Sequence, residues 1–274
     1  MGLQSRYVEL AAPAALAPYV QCLWIQEIGA GEGTYAQPVL PDGCTDLVVS
    51  GAQVLVAGPA TTSTTVAVAP GTASVGVRFR TGAASPILGT SVKDFRDTTL
   101  PITELWGDAA APLADRTLTA GDPRAQLRTL VGALQQRLGG THELDGVAVA
   151  VARALTYQPG PALAELAARA GLSERQLRRR VEDAVGYPPR TLARITRFQR
   201  FLRAARTARP HRDLARLAAD SGYADQPHLT RESKDLTGIT PAALLDWEER
   251  RMAGTFNTGT AGSGKVDGDE RRKK

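Results

Sequence analysis

Between Ser173 and Lys234 the chain carries two short sets of side chains suited to donating hydrogen bonds outward. The first is Ser173, Arg175, Arg178 and Arg179; the second is Gln226, His228, Thr230, Arg231 and Lys234. Arginine can grip the O6 and N7 edge of guanine with two parallel hydrogen bonds, glutamine does the same for adenine, and a threonine methyl fits beside that of thymine. Each set is spaced as on a helix. Its members emerge on one side while Leu177 and Val181, or Leu229, point to the other. Such chemistry recognises base edges and breaks no bonds.

Other chemistries find less support. Cys44 stands between Asp42 and Asp46, a spacing open to a redox or metal site, but a small buried thiol fits it better. Arg78 and Arg80 alternate with Val77 and Phe79, so they share a strand face that is open to clamping an anion or to plain solvation. Pro41-Asp42-Gly43 fits a β-turn better than a ligand loop. Two cysteines (Cys22 and Cys44) cannot build a four-cysteine zinc site, and His142, His211 and His228 are each isolated; no metal or cofactor is expected. No Gly-x-Ser-x-Gly elbow, Walker loop or paired-histidine motif is present, so no residue is assigned as catalytic and the chain is not read as an enzyme.

Helices must position the two donor sets, and residues 163–244 supply them as a repeat. Leu163, Leu166, Ala167, Gly171, Leu177, Val181, Gly186, Pro189 and Leu192 recur as Leu214, Leu217, Ala218, Gly222, Leu229, Ser233, Gly238, Pro241 and Leu244. The offset is 51 residues up to the first glycine and 52 after it, as for a duplicated unit with one inserted residue. Each copy has helix-turn-helix grammar. A short helix ends at Gly171, where positive φ is needed, and Ser173-Glu174-Arg175-Gln176 is a capping box that starts the next. Asp225 can cap the corresponding helix of the second copy. Between the copies, Leu192, Ile195, Phe198, Leu202 and Ala205 predict one continuous helix from Pro189 to about Thr207. At ~1.5 Å per residue it spans roughly 25–30 Å, a strut able to hold two recognition helices about one DNA turn apart.

The 274 residues have a formal net charge of +5. Residues 169–216 alone hold 14 arginines against four acids, the footprint of a polyanion-binding surface. Before them, short β-branched runs at 46–50, 54–57, 65–69 and 74–80, punctuated by Gly and Pro, predict a small sandwich or partly open barrel. A helical stripe follows: Asp122-Pro123 is a start signal, and Leu127, Leu130, Val131, Leu134 and Leu138 share a face. That stripe is open to two readings, a dimer seam or packing on its own domain. Gly139-Gly140 marks the boundary. The expected fold class is therefore α+β: residues 1–142 a β-sandwich or barrel-like domain with helices, residues 143–254 an all-α domain of two helix-turn-helix units joined by a long helix, and residues 255–274 a disordered tail. No apolar run reaches the ~18–20 residues of a membrane helix. The opening Met1–Arg6 has no signal-peptide pattern, so a cytoplasmic protein, associated with the nucleoid when on DNA, is expected.

The second half resembles the DNA-binding domain of the AraC/XylS family of bacterial transcription regulators. Leu166-Ala167, Gly171-Leu172-Ser173, Leu177-Arg178-Arg179, Gly186 and Pro189 carry the likeness in the first unit. Gly222-Tyr223-Ala224-Asp225-Gln226, His228-Leu229-Thr230-Arg231, Lys234, Gly238 and Thr240-Pro241 carry it in the second. The resemblance covers roughly residues 150–246. It implies base reading by Arg175, Arg178 and Arg179, then by Gln226, Pro227, Thr230 and Arg231, with Lys234 near the phosphates; Pro227 has no side-chain donor to offer. Ser233 stands where the family places a buried Phe, so Tyr223 or Leu236 should fill part of that space. Leu16–Val20, Leu40–Leu47, Gly76–Arg80 and Leu105-Trp106-Gly107 resemble the regulatory domain of one subset of such regulators, and name no ligand. The implied function is a sequence-specific regulator of transcription with double-stranded DNA as partner and an N-terminal domain that senses a small effector or mediates dimerisation; a contact with RNA polymerase and a homodimer stay open. The competing reading is an architectural protein that coats DNA without sequence preference. Alkylation-repair enzymes that carry a similar domain hold zinc on cysteines, which Cys22 and Cys44 alone cannot do.

Overall fold

The computed structural model describes residues 5–31, 33–138, 143–157, 162–208 and 213–252. Gly139-Gly140, His142, His211 and the 255–274 tail lie outside them. The N-terminal part is built on strands β1 (Ser5–Leu10), β2 (Val20–Ile28), β3 (Tyr35–Val39), β4 (Asp46–Ser50), β5 (Gln53–Ala57), β6 (Thr64–Val68), β7 (Ala73–Phe79) and β8 (Thr99–Pro101). Six of them form a sheet in the order β1-β2-β7-β4-β5-β8, and β3 pairs with β6 in a separate ribbon. All pairings are antiparallel. The large sheet ends in β1 and β8 and does not close into a barrel among the described residues. The alternation of side chains sets its two faces. Leu23, Ile25, Leu47, Val49, Val54, Val56, Val75 and Val77 line one face and build the core. Trp24, Asp46 and Arg78 stand on the other.

Short helices α1 (Ser85–Leu88), α2 (Ile102–Trp106) and α3 (Ala111–Thr119) precede α4 (Pro123–Arg137). Asp122 starts α4 as its sequence implies, accepting from the backbone N–H groups of Arg124 and Ala125 at 2.8 and 3.0 Å. Leu127, Leu130 and Leu134 are buried in the core of their own sheet, packed toward β7 and β2. The dimer-seam reading of that stripe therefore fails, since its apolar face is already spent inside the domain. At Gly76 the Trp24 indole lies flat on the sheet: a Cβ there would sit 2.4 Å from the ring.

The C-terminal part is helical throughout: α5 (Gly146–Tyr157), α6 (Leu163–Arg169), α7 (Glu174–Val185), α8 (Pro189–Thr207), α9 (Leu214–Ser221), α10 (Gln226–Thr237) and α11 (Pro241–Met252). The inserted residue of the second copy lies in its turn: Gly222 stands three residues before the N-cap Asp225, whereas Gly171 stands two before the N-cap Ser173. Helix α8 threads the core of this half, with Leu192, Ile195, Phe198, Phe201 and Leu202 all fully buried. Leu40, from the turn before β4, packs into the same core. Gln199 donates to the Pro41 carbonyl at 2.6 Å, so the two halves share an interface.

Candidate nucleic-acid interface

Local chemistry fixes where each recognition helix starts. Ser173 Oγ accepts from the Gln176 N–H at 3.3 Å, and Gln176 Oε1 accepts from the Ser173 N–H at 2.9 Å, a complete capping box. The same Oγ donates to Gln176 Oε1 at 2.9 Å. In the second unit Asp225 accepts from the His228 N–H at 2.6 Å. Glycines at Gly171 and Gly222 have φ of +65° and +87° and end the first helix of each unit in the same way.

The first helix presents Arg175, Arg178 and Arg179 to solvent; Arg178 pairs with Glu174, four residues back, at 3.3 Å. The second helix leaves Gln226, Arg231 and Lys234 exposed. Three other side chains of these sets are partly engaged inside the protein. The Ser173 hydroxyl belongs to the cap, and Thr230 Oγ1 donates to the Gln226 carbonyl at 3.0 Å. His228 is half-buried, its ring edge-on to Tyr223 with centroids 5.2 Å apart and Nε2 3.6 Å from Glu232. Pro227 sits in the first turn of α10. Ser233 is fully buried, its hydroxyl donating to the Ile239 carbonyl at 3.0 Å, and Tyr223 and Leu236 both enter the core around it.

What sequence reasoning missed is how the recognition helices are held. Glu232, buried on the inner side of α10, accepts from Arg197 of α8 at 2.5 and 3.2 Å and faces Arg194 Nε at 3.4 Å. Arg197 also lies over the Tyr223 ring, 4.9 Å from its centroid. In the first unit the equivalent position, 52 residues earlier, is Arg180. It donates to Asp145, at the start of α5, at 2.7 Å. Each recognition helix is thus tied to the helix that opens its unit, with the signs of the charges exchanged. Arg206 is similarly paired with the buried Glu248 of α11 at 2.5 Å. Arg194 and Arg197 of the arginine-rich run of α8 are therefore internal cement. Arg190, Arg203 and Arg206 stay exposed, and Arg190, Arg194, Arg197 and Arg231 line a groove of about 720 Å³ between α8 and α10.

In the N-terminal part, the side chains whose roles the sequence left open are engaged within the protein. Arg78 is no free anion clamp: its Nε donates to Asp46 at 3.1 Å, and Nη2 lies 3.4 Å from Asp42. Trp24 Nε1 donates to the same Asp46 at 3.1 Å. Burial works against the Arg78 charge, but the Asp46 and Asp42 carboxylates more than offset it and raise its affinity for the proton. Arg80 donates to the Ala17 carbonyl at 2.8 Å. Asp42 accepts from the Cys44 N–H at 2.9 Å, closing the turn at Pro41-Asp42-Gly43. Burial pushes the Cys22 thiol up to about 11 and the Cys44 thiol, itself only partly buried, well above its usual range, which disfavours the reactive thiolate at both. Among the described residues no cluster of His, Cys, Asp and Glu could hold a metal, and no helix is long and apolar enough to cross a membrane.

Residues 8–101 match a family described as a domain of unknown function, DUF6597, and residues 166–246 match one described as a helix-turn-helix domain. No protein with a curated description matches the sequence. Among solved structures, the chain is similar to ToxT from Vibrio cholerae at 1.65 Å resolution, with 11% identity, a TM-score of 0.41, and coverage of 90% of this chain and 98% of that one. It is also similar to ToxT from Vibrio cholerae O395 bound to (E)-4-(8-methylnaphthalen-1-yl)but-3-enoic acid, with 10% identity, a TM-score of 0.40, and coverage of 90% and 99%.

Proposed function

We propose that the chain is a transcription regulator of the AraC/XylS kind, and that its helix-turn-helix domain reads two adjacent major-groove segments of double-stranded DNA in a sequence-specific way. One observation carries this reading: two duplicated recognition helices each present unburied arginine or glutamine on their outer face, and the N-terminal sheet covers neither set. Arg175, Arg178 and Arg179 would read one block, and Gln226 and Arg231 the other, with Lys234 on the phosphates. Ser173, His228 and Thr230 border these side chains and shape the helix starts. Arg190, exposed at the groove between α8 and α10, suits a phosphate between the blocks. Residues 143–254 then act as the DNA-binding domain, and residues 1–142 as a regulatory domain that takes a small effector or a second copy of the chain; RNA polymerase would be met from the DNA.

In-vitro selection of random duplexes by the full chain tests this. One motif with two blocks about ten base pairs apart, centre to centre, is the expected result. Binding of random DNA at low salt with nothing enriched would refute base reading. The arginines would then serve an architectural, sequence-blind surface.

A further inference from the structure

The last carbonyl groups of a helix lack partners within it, and in both recognition helices the N-terminal domain supplies them. At the end of α7, Ser91 Oγ donates to the Asp183 carbonyl at 2.9 Å, Arg96 Nη1 to the Gly186 carbonyl at 3.3 Å, and Lys93 pairs with the Asp183 carboxylate. The fit is close. A Cβ on Gly186 would stand 2.7 Å from Pro59 and 3.2 Å from Val92. At the end of α10, the Ser63 N–H donates to the Leu236 carbonyl at 2.7 Å and Ser63 Oγ to the Thr237 carbonyl at 3.2 Å.

The two segments making these contacts, 58–63 and 91–98, are one body. Gly58 N–H donates to the Thr98 carbonyl at 2.9 Å, and Asp97 N–H to the Pro59 carbonyl at 3.3 Å. Asp97 Oδ1 accepts from the Thr61 N–H at 2.6 Å and from its hydroxyl at 2.9 Å. Asp97 has φ of +57°, the one non-glycine residue at positive φ among the described residues. Such a conformation persists only where surrounding bonds over-determine it.

We infer that segments 58–63 and 91–98 form a bracket that grips the C-terminal ends of both recognition helices, fixing their separation, so that the N-terminal domain sets which spacing between DNA blocks is accepted. The inference rests on the two-block reading proposed above. Recognition helices of this class touch bases with their N-terminal residues; a grip on the opposite ends leaves those residues free while denying the helices independent movement. Helix α8 joins the units on one side and the bracket closes them on the other. Adding one base pair between the blocks moves the second by about 3.4 Å and turns it by about 34°. A flexible pair of units could follow that displacement, whereas a braced pair cannot.

The test uses the full chain and duplexes carrying the selected blocks at the optimal spacing, or with one base pair added or removed. Two variants loosen the bracket without touching a DNA-facing side chain. Asp97→Gly keeps the positive φ accessible but releases Thr61 and so weakens the coupling of the two segments, which then rests on their backbone bonds. Lys93→Glu combined with Ser91→Ala sets like charges together at the end of α7. The wild type should prefer its optimal spacing by about tenfold, and both variants by no more than about threefold, with unchanged affinity for duplexes carrying either block alone. Thermal unfolding identifies a variant that has lost its fold, and the other then decides. Variants that keep the wild-type spacing profile, or a wild type indifferent to spacing, would overturn the bracket alone. A wild type that selects no sequence would overturn the two-block reading, and the bracket with it.

Discussion

Glu232 offers a quantitative test of how the second recognition helix is held. Its side chain is 10% exposed and that of its main partner, Arg197, 23%. Removing one member of a buried pair costs about 3–5 kcal/mol when the other is left without a counter-charge. Here part of Arg197 stays in water and Arg194 keeps Asp235 at 3.3 Å, so Glu232→Gln should cost about 2 kcal/mol. Arg197→Met loses the same pair together with its stacking on Tyr223, worth about 0.5–1 kcal/mol more. In the double variant neither charge is stranded, so its loss should fall short of the sum of the singles by about 1.5 kcal/mol. Urea unfolding of the four proteins, followed by circular dichroism, measures that coupling. Costs that add to within about 0.4 kcal/mol would show that the pair contributes nothing. Packing of Leu229 and Leu236, with the Ser63 bonds at its C-terminal end, would then have to hold α10.

Arg178→Ala should cost about 1–3 kcal/mol of DNA affinity and relax the preference at one base, while Arg190→Ala should weaken all sequences alike and flatten the salt slope by about one; equal losses on every sequence for both would break the assignment of α7. Ser173→Ala should lower stability by about 1 kcal/mol through the lost cap and leave the base preference of α7 unchanged in a repeated selection. A changed base would instead make the hydroxyl a DNA contact. With its proton affinity pushed up to about 11, the Cys22 thiol is about one part in a thousand thiolate at pH 8. Mass spectrometry after iodoacetamide should show labelling in the folded protein roughly two orders of magnitude slower than in urea, rising as pH approaches 11; a rate typical of a free thiol would contradict the burial.

The helical half was legible because its signals are local. Gly171 and Gly222, the Ser173–Gln176 box and Asp225 each act within four residues, and duplication repeats most of the grammar. Strands β4 to β7 were legible from their β-branched runs, but β2 was not. Val20–Ile28 buries side chains on both faces, Leu23 and Ile25 in the core and Trp24 against Gly76, so it shows no clean alternation. Strand β8 has three residues and exists only by pairing with β5. The arginines of α8 were the deepest ambiguity. Whether Arg197 faces a phosphate or Glu232 depends on a partner 35 residues away, and no periodicity encodes a sign match at that range. Arg78, 32 residues from Asp46, was opaque for the same reason.

The exchanged signs at Arg180 and Glu232 have a consequence for how this chain reaches its fold. Two similar units only about fifty residues apart are at risk of docking on each other's opening helix during folding, a hazard of duplicated sequences. Such a swap would set Arg180 of α7 against Arg194 and Arg197 of α8, and Glu232 of α10 against Asp145 of α5. Like charges would then meet at both half-buried contacts, at a cost of several kcal/mol. The duplication thus carries its own proofreading: the residues that hold each recognition helix in place also reject the wrong helix as its partner.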